Sequence, residues 1–246
     1  MDTQSLYLLK EPVTTIFGDI GYLCISDYIK LASEISTISK QPLQMYYDFR
    51  NQLDKVPEDE RLSFSKQIEF LKDITLFNLV NEDSQLKNSY TTILSKIVVF
   101  NEGITVEDVF TNESYFMGIR KLLMEMNNLK EDPVSPNPEI QEYYEQRKKM
   151  KMKDSGDINF SDIISSVAVG SGYKYEEVRE MTIFQFYHTY YRIGSFKKYD
   201  QSTIFASAFH DTKILTSWTE KIDLFKDEKL GLDYDDFNKK HKDIFS

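Results

Sequence analysis

The sequence predicts a mainly α-helical fold, a multi-helix globular protein with one or two small β-hairpins in the N-terminal half. Three observations carry that expectation. Chain breakers are scarce, nine Gly and six Pro in 246 residues, so long stretches can run as uninterrupted helix. Several windows repeat apolar residues at i, i+3, i+4 and i+7, the spacing of a helix with one buried face. The runs of β formers are short and fall in the first half of the chain.

The elements follow in order. Val13–Phe17 and Tyr22–Ile25 are rich in β formers and flank Gly18-Asp-Ile-Gly21, which predicts a hairpin with glycine supplying positive φ in the turn. Ser26 is placed to cap a helix carrying Tyr28, Ile29, Leu31, Ala32 and Ile35. A helix over 42–56 starts near Pro42. Pro57, followed by three acids, opens another that can run to about Val80. Ile97–Phe100 and Ile104–Val106 around Asn101-Glu-Gly103 predict a second hairpin. A helix over 113–128 has Tyr115, Phe116, Ile119, Leu122, Leu123 and Met126 as its stripe.

Glu131-Asp-Pro-Val-Ser-Pro-Asn-Pro138 cannot be helix interior, because each proline removes a donor and restricts its predecessor. With the charged helical stretch 139–153 and the break at Asp154–Asp157, it divides the chain. The expected organisation is an N-terminal α+β region over 1–128, a Pro-rich and charged linker over 129–157, and a C-terminal helical region over 158–246 ending in a charged tail. Phe237, Ile244 and Phe245 are positioned to dock that tail.

Beyond the linker, Asn159 and Asp162 form a capping pair ahead of Phe160, Ile163, Ile164, Val167 and Ala168, and Gly170 and Gly172 close that helix. A short helix spans Glu176–Met181. Thr182 and Gln185 make a capping box for a helix over 183–193 that is apolar nearly all round. Such a helix belongs in the centre of a core or at a partner interface. Asp200 is placed to cap a separate helix through Phe209, and Ile214, Leu215, Trp218, Ile222 and Phe225 mark one more.

Charge and cysteine content narrow the function classes. A net charge of −10 and a pI near 4.9 repel phosphate, arguing against nucleic acid or an anionic membrane as the main ligand. The single cysteine, Cys24, allows no internal disulfide, fits a reducing compartment, and sits in an apolar run as a structural thiol. No stretch is long and apolar enough to span a membrane, and Met1–Ser5 does not start a secretory signal.

A search for chemistry assigns no catalytic, cofactor-binding or metal-binding residue. His188, His210 and His241 lack a His or Cys three or four residues away, as a helical zinc site requires. Asp233–Asp236 lacks the calcium-loop glycine and terminal Glu. Val169-Gly-Ser-Gly172 follows a helix rather than a strand, so it reads as a helix stop and not a nucleophile elbow. Residues 160–181 have the outline of a helix-turn-helix, but Tyr175–Met181 carries three glutamates against one arginine, the wrong sign for a major groove. Arg147–Lys153 is a basic cluster that reads as a solvated helix face.

Two segments, Asp162–Tyr187 and Gly118–Asn128, carry a resemblance. A small-residue helix, Gly-Tyr, a short acidic helix, then Met-Thr and an aromatic helix resembles proteins encoded among the tail genes of large tailed bacteriophages, tail assembly chaperones or baseplate hub assembly proteins. The resemblance covers about residues 115–225, and its motifs concern packing. It implies a non-enzymatic assembly protein, chaperone or structural component, acting in the host cytoplasm and able to enter the virion, that binds tail or baseplate proteins. Candidate contacts are Phe186, Tyr190 and Tyr191, with Trp218 as an anchor; ordinary core packing competes at each. The alternative is a phage-encoded inhibitor or trigger of a host defence protein, and a third reading is an enzyme with an unfamiliar carboxylate site. Homo-oligomerisation is left open.

Overall fold

The computed structural model describes residues 3–154 and 159–224, with no side-chain description for 151–154. The chain begins with helix α1 (Thr3–Leu8), then strands β1 (Val13–Thr15) and β2 (Gly18–Ile20). β3 (Val98–Phe100) completes a three-stranded antiparallel sheet in the order β1-β2-β3, with Val13 opposite Ile20 and Ile20 opposite Val98.

This differs from the two expected hairpins. The turn is Ile16–Phe17, two residues earlier than glycine spacing suggests. Gly18 is needed for another reason: it has φ +137°, and a Cβ there would lie 2.0 Å from the Val99 carbonyl oxygen. Glycine therefore permits close approach of β3 rather than making the turn. The expected second strand, Tyr22–Ile25, is spent elsewhere: Cys24 bridges Thr182, with the Ile25 N–H donating to Met181 O (2.9 Å) and the Ile183 N–H to Leu23 O (3.2 Å). Residues 104–106 do not return as a strand but lead into a helix.

Helices α2 (Ile25–Lys30) and α3 (Ala32–Ile38) replace the one helix capped by Ser26; Cys24 takes the cap position and the chain kinks at Leu31. Next come α4 (Pro42–Arg50), α5 (Glu58–Ile68), α6 (Leu76–Glu82) and α7 (Ser84–Ile97). The run from Pro57 toward Val80 is interrupted by a 3-10 turn at Glu69–Lys72, after which Thr75 caps α6 by accepting from the Asn78 N–H at 3.2 Å. Asp83 caps α7. α8 (Val106–Val109) and α9 (Glu113–Met126) follow, the latter burying Phe116, Ile119, Leu123 and Met126; of the expected stripe, Leu122 is half-buried and Tyr115 stays largely exposed at the edge, its ring against Phe17.

α10 (Pro138–Asp154) carries the basic cluster. α11 (Phe160–Ser171) starts at the Asn159/Asp162 capping box and stops at Gly172, φ +76°, in the left-handed region. After α12 (Tyr175–Arg179), α13 runs unbroken over Ile183–Phe209. The separate helix expected from Asp200 is the second half of α13: the backbone ladder is already formed there, so Asp200 has nothing to cap. The helix expected around Trp218 is a 3-10 turn at Thr212–Ile214 followed by irregular chain. The tail from Phe225, including Phe237, His241, Ile244 and Phe245, the Asp233–Asp236 run, and residues 155–158 of the expected break lie outside the described residues.

One core runs through both ends of the chain. Ile20, Leu23, Ile38, Val80, Ile93, Leu123, Val167, Phe184 and Phe186 are all but inaccessible to solvent and belong to the same cluster. The Asn127 side chain accepts from the buried Leu23 N–H (2.9 Å), and Lys10 Nζ donates to Glu180 O (2.6 Å). The segment 129–138 is pinned to this body. Tyr47 Oη donates to Ser135 O (3.0 Å), Gln41 donates to the Glu131 carboxylate, and Arg120 pairs with Glu131. Among the described residues, no helix is long and apolar enough to cross a membrane.

Candidate functional site

Of the residues expected as contacts, Phe186, Tyr190 and Tyr191 lie on α13, and Trp218 lies in the segment that folds back against it. At its start the capping box is closed in both directions, Gln185 N–H to Thr182 Oγ1 (3.1 Å) and Thr182 N–H to Gln185 Oε1 (3.0 Å). Gln185 Nε2 also donates to Leu8 O (2.7 Å). Phe184 meets Tyr7 of α1 edge to face at 5.4 Å, and Phe186 packs on Phe160 of α11 at 5.5 Å, itself against Tyr28 of α2. Phe186 is therefore enclosed and is a core residue, not a contact for a partner. Tyr190 is half-buried against the same cluster. Tyr191 and Trp218 are surface rings, 51% and 45% exposed.

α11 covers α13 as far as Ile193. A Cβ on Gly170 would lie 2.8 Å from Ile193 Cδ1, so glycine lets the two helices close together there. α11 ends at Ser171. Beyond it, residues 211–220 fold against the second half of α13. Arg192 Nη1 donates to Trp218 O (2.6 Å) and Glu220 O (3.1 Å), the Thr216 N–H donates to Ser202 Oγ (3.1 Å), and Phe196 lies 5.6 Å from the Trp218 ring. Ser202 and Ala206 are buried beneath this strap, while Ile204, Phe205 and Phe209 stand 66%, 53% and 70% exposed.

Beside the first half of α13 lies an open groove of about 1460 Å3, walled by α3, α9, residues 128–133 and α13, with Ile35, Met117, Met124, Tyr187 and Leu224 among its lining. Its polar floor is committed to structure. The buried Arg120 donates to Tyr90 Oη (2.8 Å) and Ile38 O (3.1 Å) and pairs with Glu131, while Tyr90 Oη also donates to Ile38 O (3.1 Å). Burial lowers the Arg120 pKa, but Tyr90 and Glu131 more than offset it and leave it raised. The guanidinium stays charged, with Nε and Nη2 engaged.

Several other groups near the core are engaged as well. Burial, then Asp27, pushes the Cys24 thiol up, and its Sγ donates to Asp27 Oδ2 (3.2 Å), so it is not poised as a thiolate. Burial, with Tyr28 and Tyr191 nearby, pushes Tyr187 up to about 12. Burial and then Arg192 lower His188, which is neutral at pH 7. Ser171 Oγ donates to Val167 O (2.6 Å), the position of a helix end. Among the described residues, no group of three His, Cys, Asp or Glu could hold a metal ion. Among the described residues, Arg120, Cys24 and Tyr187 are thus hydrogen-bonded or partly buried.

Sequence reasoning missed Ile204, Phe205 and Phe209. The signal available was for continuity of the helix: Phe186, Tyr190, Ile193, Ile204 and Ala208 fall on one helical line across the expected break at 194–200. It also missed Arg120, which the sequence shows only as one charge among the stripe residues of α9.

Residues 1–136 of the chain match the YomV N-terminal domain, and residues 148–223 match the YomV second domain. The chain is similar to the SPbeta prophage-derived uncharacterized protein YomV of Bacillus subtilis (strain 168), 28% identical over 232 residues that span 94% of this chain and 93% of that protein. No solved structure matches. The chain belongs to the YomV family.

Proposed function

We propose that this YomV-family chain is a non-enzymatic binding protein of phage morphogenesis that engages a tail or baseplate component through the aromatic surface where α13 leaves the body. The observation that carries the reading is Trp218. Its backbone is tied down by Arg192, its ring rests on Phe196, and yet 45% of it faces solvent. A large ring on a fixed backbone is what an interface anchor needs: much apolar area, with little side-chain entropy left to lose on binding. Tyr191 and Phe196, 51% and 44% exposed, add aromatic surface on α13. The prophage origin of the similar Bacillus subtilis protein supports the phage setting, and the resemblance of residues 115–225 supports the tail or baseplate as its target. The engaged or buried state of Arg120, Cys24 and Tyr187 favours binding over catalysis.

The test is affinity purification of the tagged full chain from phage-producing cells, with mass spectrometry of what accompanies it, for wild type and Trp218→Ala. We expect tail-tube, tape-measure or baseplate proteins, recovered about tenfold less with the variant, in line with loss of an aromatic hot spot, and an unchanged melting temperature. Recovery of a host defence protein in their place, or a melting temperature that falls in step with binding, would overturn the reading.

A further inference from the structure

The sequence beyond Leu224 carries an amphipathic pattern that the fold and the proposed partner surface do not use. At 3.6 residues per turn, Tyr234, Phe237, His241, Ile244 and Phe245 fall within one arc of about 100°, while Asp235, Asp236, Lys239, Lys240, Lys242 and Asp243 take the opposite side. Asp233 and Asp236 have the spacing of a capping pair. The acids come first and the lysines later, the order that the helix macrodipole favours. This is the sequence of a helix with one face to bury, and burial needs an apolar surface within reach.

The open groove beside the first half of α13 is that surface. Leu224, where the described chain ends, is 4% exposed and forms part of the groove's wall. Its place is fixed by its neighbours: Gln4 Nε2 donates to Asp223 Oδ1 (3.3 Å), and Ile222 packs on the core. From Leu224, residues 225–232 span up to about 26 Å when extended, and Asp233 follows. The groove shares only Tyr191 with the proposed partner surface.

We infer that residues 233–245 of this chain dock as a helix along the groove, with Tyr234, Phe237 and Ile244 laid against Ile35, Met117, Met124 and Tyr187. Two of the walls are helices, α3 and α9, the setting in which an amphipathic helix seats its apolar face. The lengths agree. As a helix, residues 233–245 measure about 20 Å, and the stretch of chain from Met117 to Asn128 that lines the groove runs about 18 Å. At about 1460 Å3 the groove exceeds the roughly 300–1000 Å3 of a small-molecule pocket. The tether selects this occupant over a free one. A short linker from Leu224 holds the helix at an effective concentration on the order of 1 mM, which any second copy or separate protein has to outcompete.

The measurement is methionine-methyl NMR of the full chain. Met117 and Met124 line the groove and Met45 does not. Phe237→Asp should move the Met117 and Met124 resonances and leave Met45 in place. A synthetic peptide of residues 230–246, added to the Phe237→Asp chain, should return them to their wild-type positions. Its Kd should be about 100 μM or below, since an effective concentration on the order of 1 mM then keeps the tethered helix docked at least about ten times as often as not. The groove wall has its own readout: Met117→Lys, 42% exposed in the wild type, should weaken the peptide about tenfold at the Met124 methyl. Groove resonances indifferent to Phe237→Asp overturn the inference, as does a peptide that binds Met117→Lys as well as the unaltered wall. So do groove resonances that move only when a tail or baseplate protein is added, which would give the groove to that partner and leave the proposed binding role intact.

Discussion

The two halves of α13 are made of similar residues and live in different surroundings. Over Ile183–Phe186 the helix is wedged between α1, α2 and α11, and its rings are enclosed. Over Ile204–Phe209, less than one helix-length away, aromatic and aliphatic side chains of the same kind are left to solvent. Composition does not separate the halves; the end of α11 at Ser171 does. The first half is therefore built into the core, and the second leaves apolar side chains exposed.

The sharpest way to break that comparison is to shave a ring from each half. Phe186→Ala removes a fully enclosed side chain and should cost about 3–5 kcal/mol, lowering the melting temperature by about 10 °C for a chain of this size. Phe205→Ala should change stability by no more than about 0.5 kcal/mol. Urea unfolding of the two variants gives both numbers, and comparable losses would mean that the halves are not distinct.

A smaller effect is expected at the point where the halves meet. Gly170→Val forces a branched side chain into Ile193 and should destabilise by about 1–3 kcal/mol, the range for overpacking a close contact. Adding Ile193→Ala vacates the space and should recover part of that loss. A strictly additive double variant would show that α11 does not press on α13 there.

The smallest effect concerns pH. His188 sits in the enclosed half with its pKa held below the ordinary 6.5 by burial and by Arg192. Below pH 6.5 the unfolded chain therefore binds a proton more readily than the folded one. The stability contributed by neutral His188 is intact above pH 6.5 and declines as pH falls through 6.5 toward the lowered folded value. His188→Gln should flatten that segment of the stability curve, with no change above pH 7.

Local signals were legible in the sequence, and pairings across the chain were not. The boxes Asn159/Asp162 and Thr182/Gln185 and the stripe of α9 depend on residues within a turn of one another, and spacing alone reveals them. Gly18 looked like a turn glycine because nothing nearby shows that Val99, some eighty residues on, will press against it. Asp200 looked like a cap because a carboxylate ahead of an apolar run is the cap signature; only the continuity of α13 from Thr182 removes the free N–H groups it would serve. Trp218 was rightly singled out as a large apolar residue but assigned to a helix. Its order comes from Arg192, which donates to its carbonyl, and from Ser202, which holds Thr216 just before it; no periodicity connects these residues. Of the expected contacts, Phe186 went to the core, since a helix apolar all round can satisfy one face on α11 and still leave another outside.

The Arg120 cluster bears on the order in which the molecule assembles. Its bonds join Ile38, Tyr90, Arg120 and Glu131, and one of them closes 82 residues of sequence. Loop closure on that scale is slow to be repaid, so the cluster is completed after α3, α7 and α9 have met rather than guiding them together. It then behaves as a latch. Arg120→Met should therefore leave the rate of refolding largely alone and let the native chain open sooner, as stopped-flow refolding and unfolding would show.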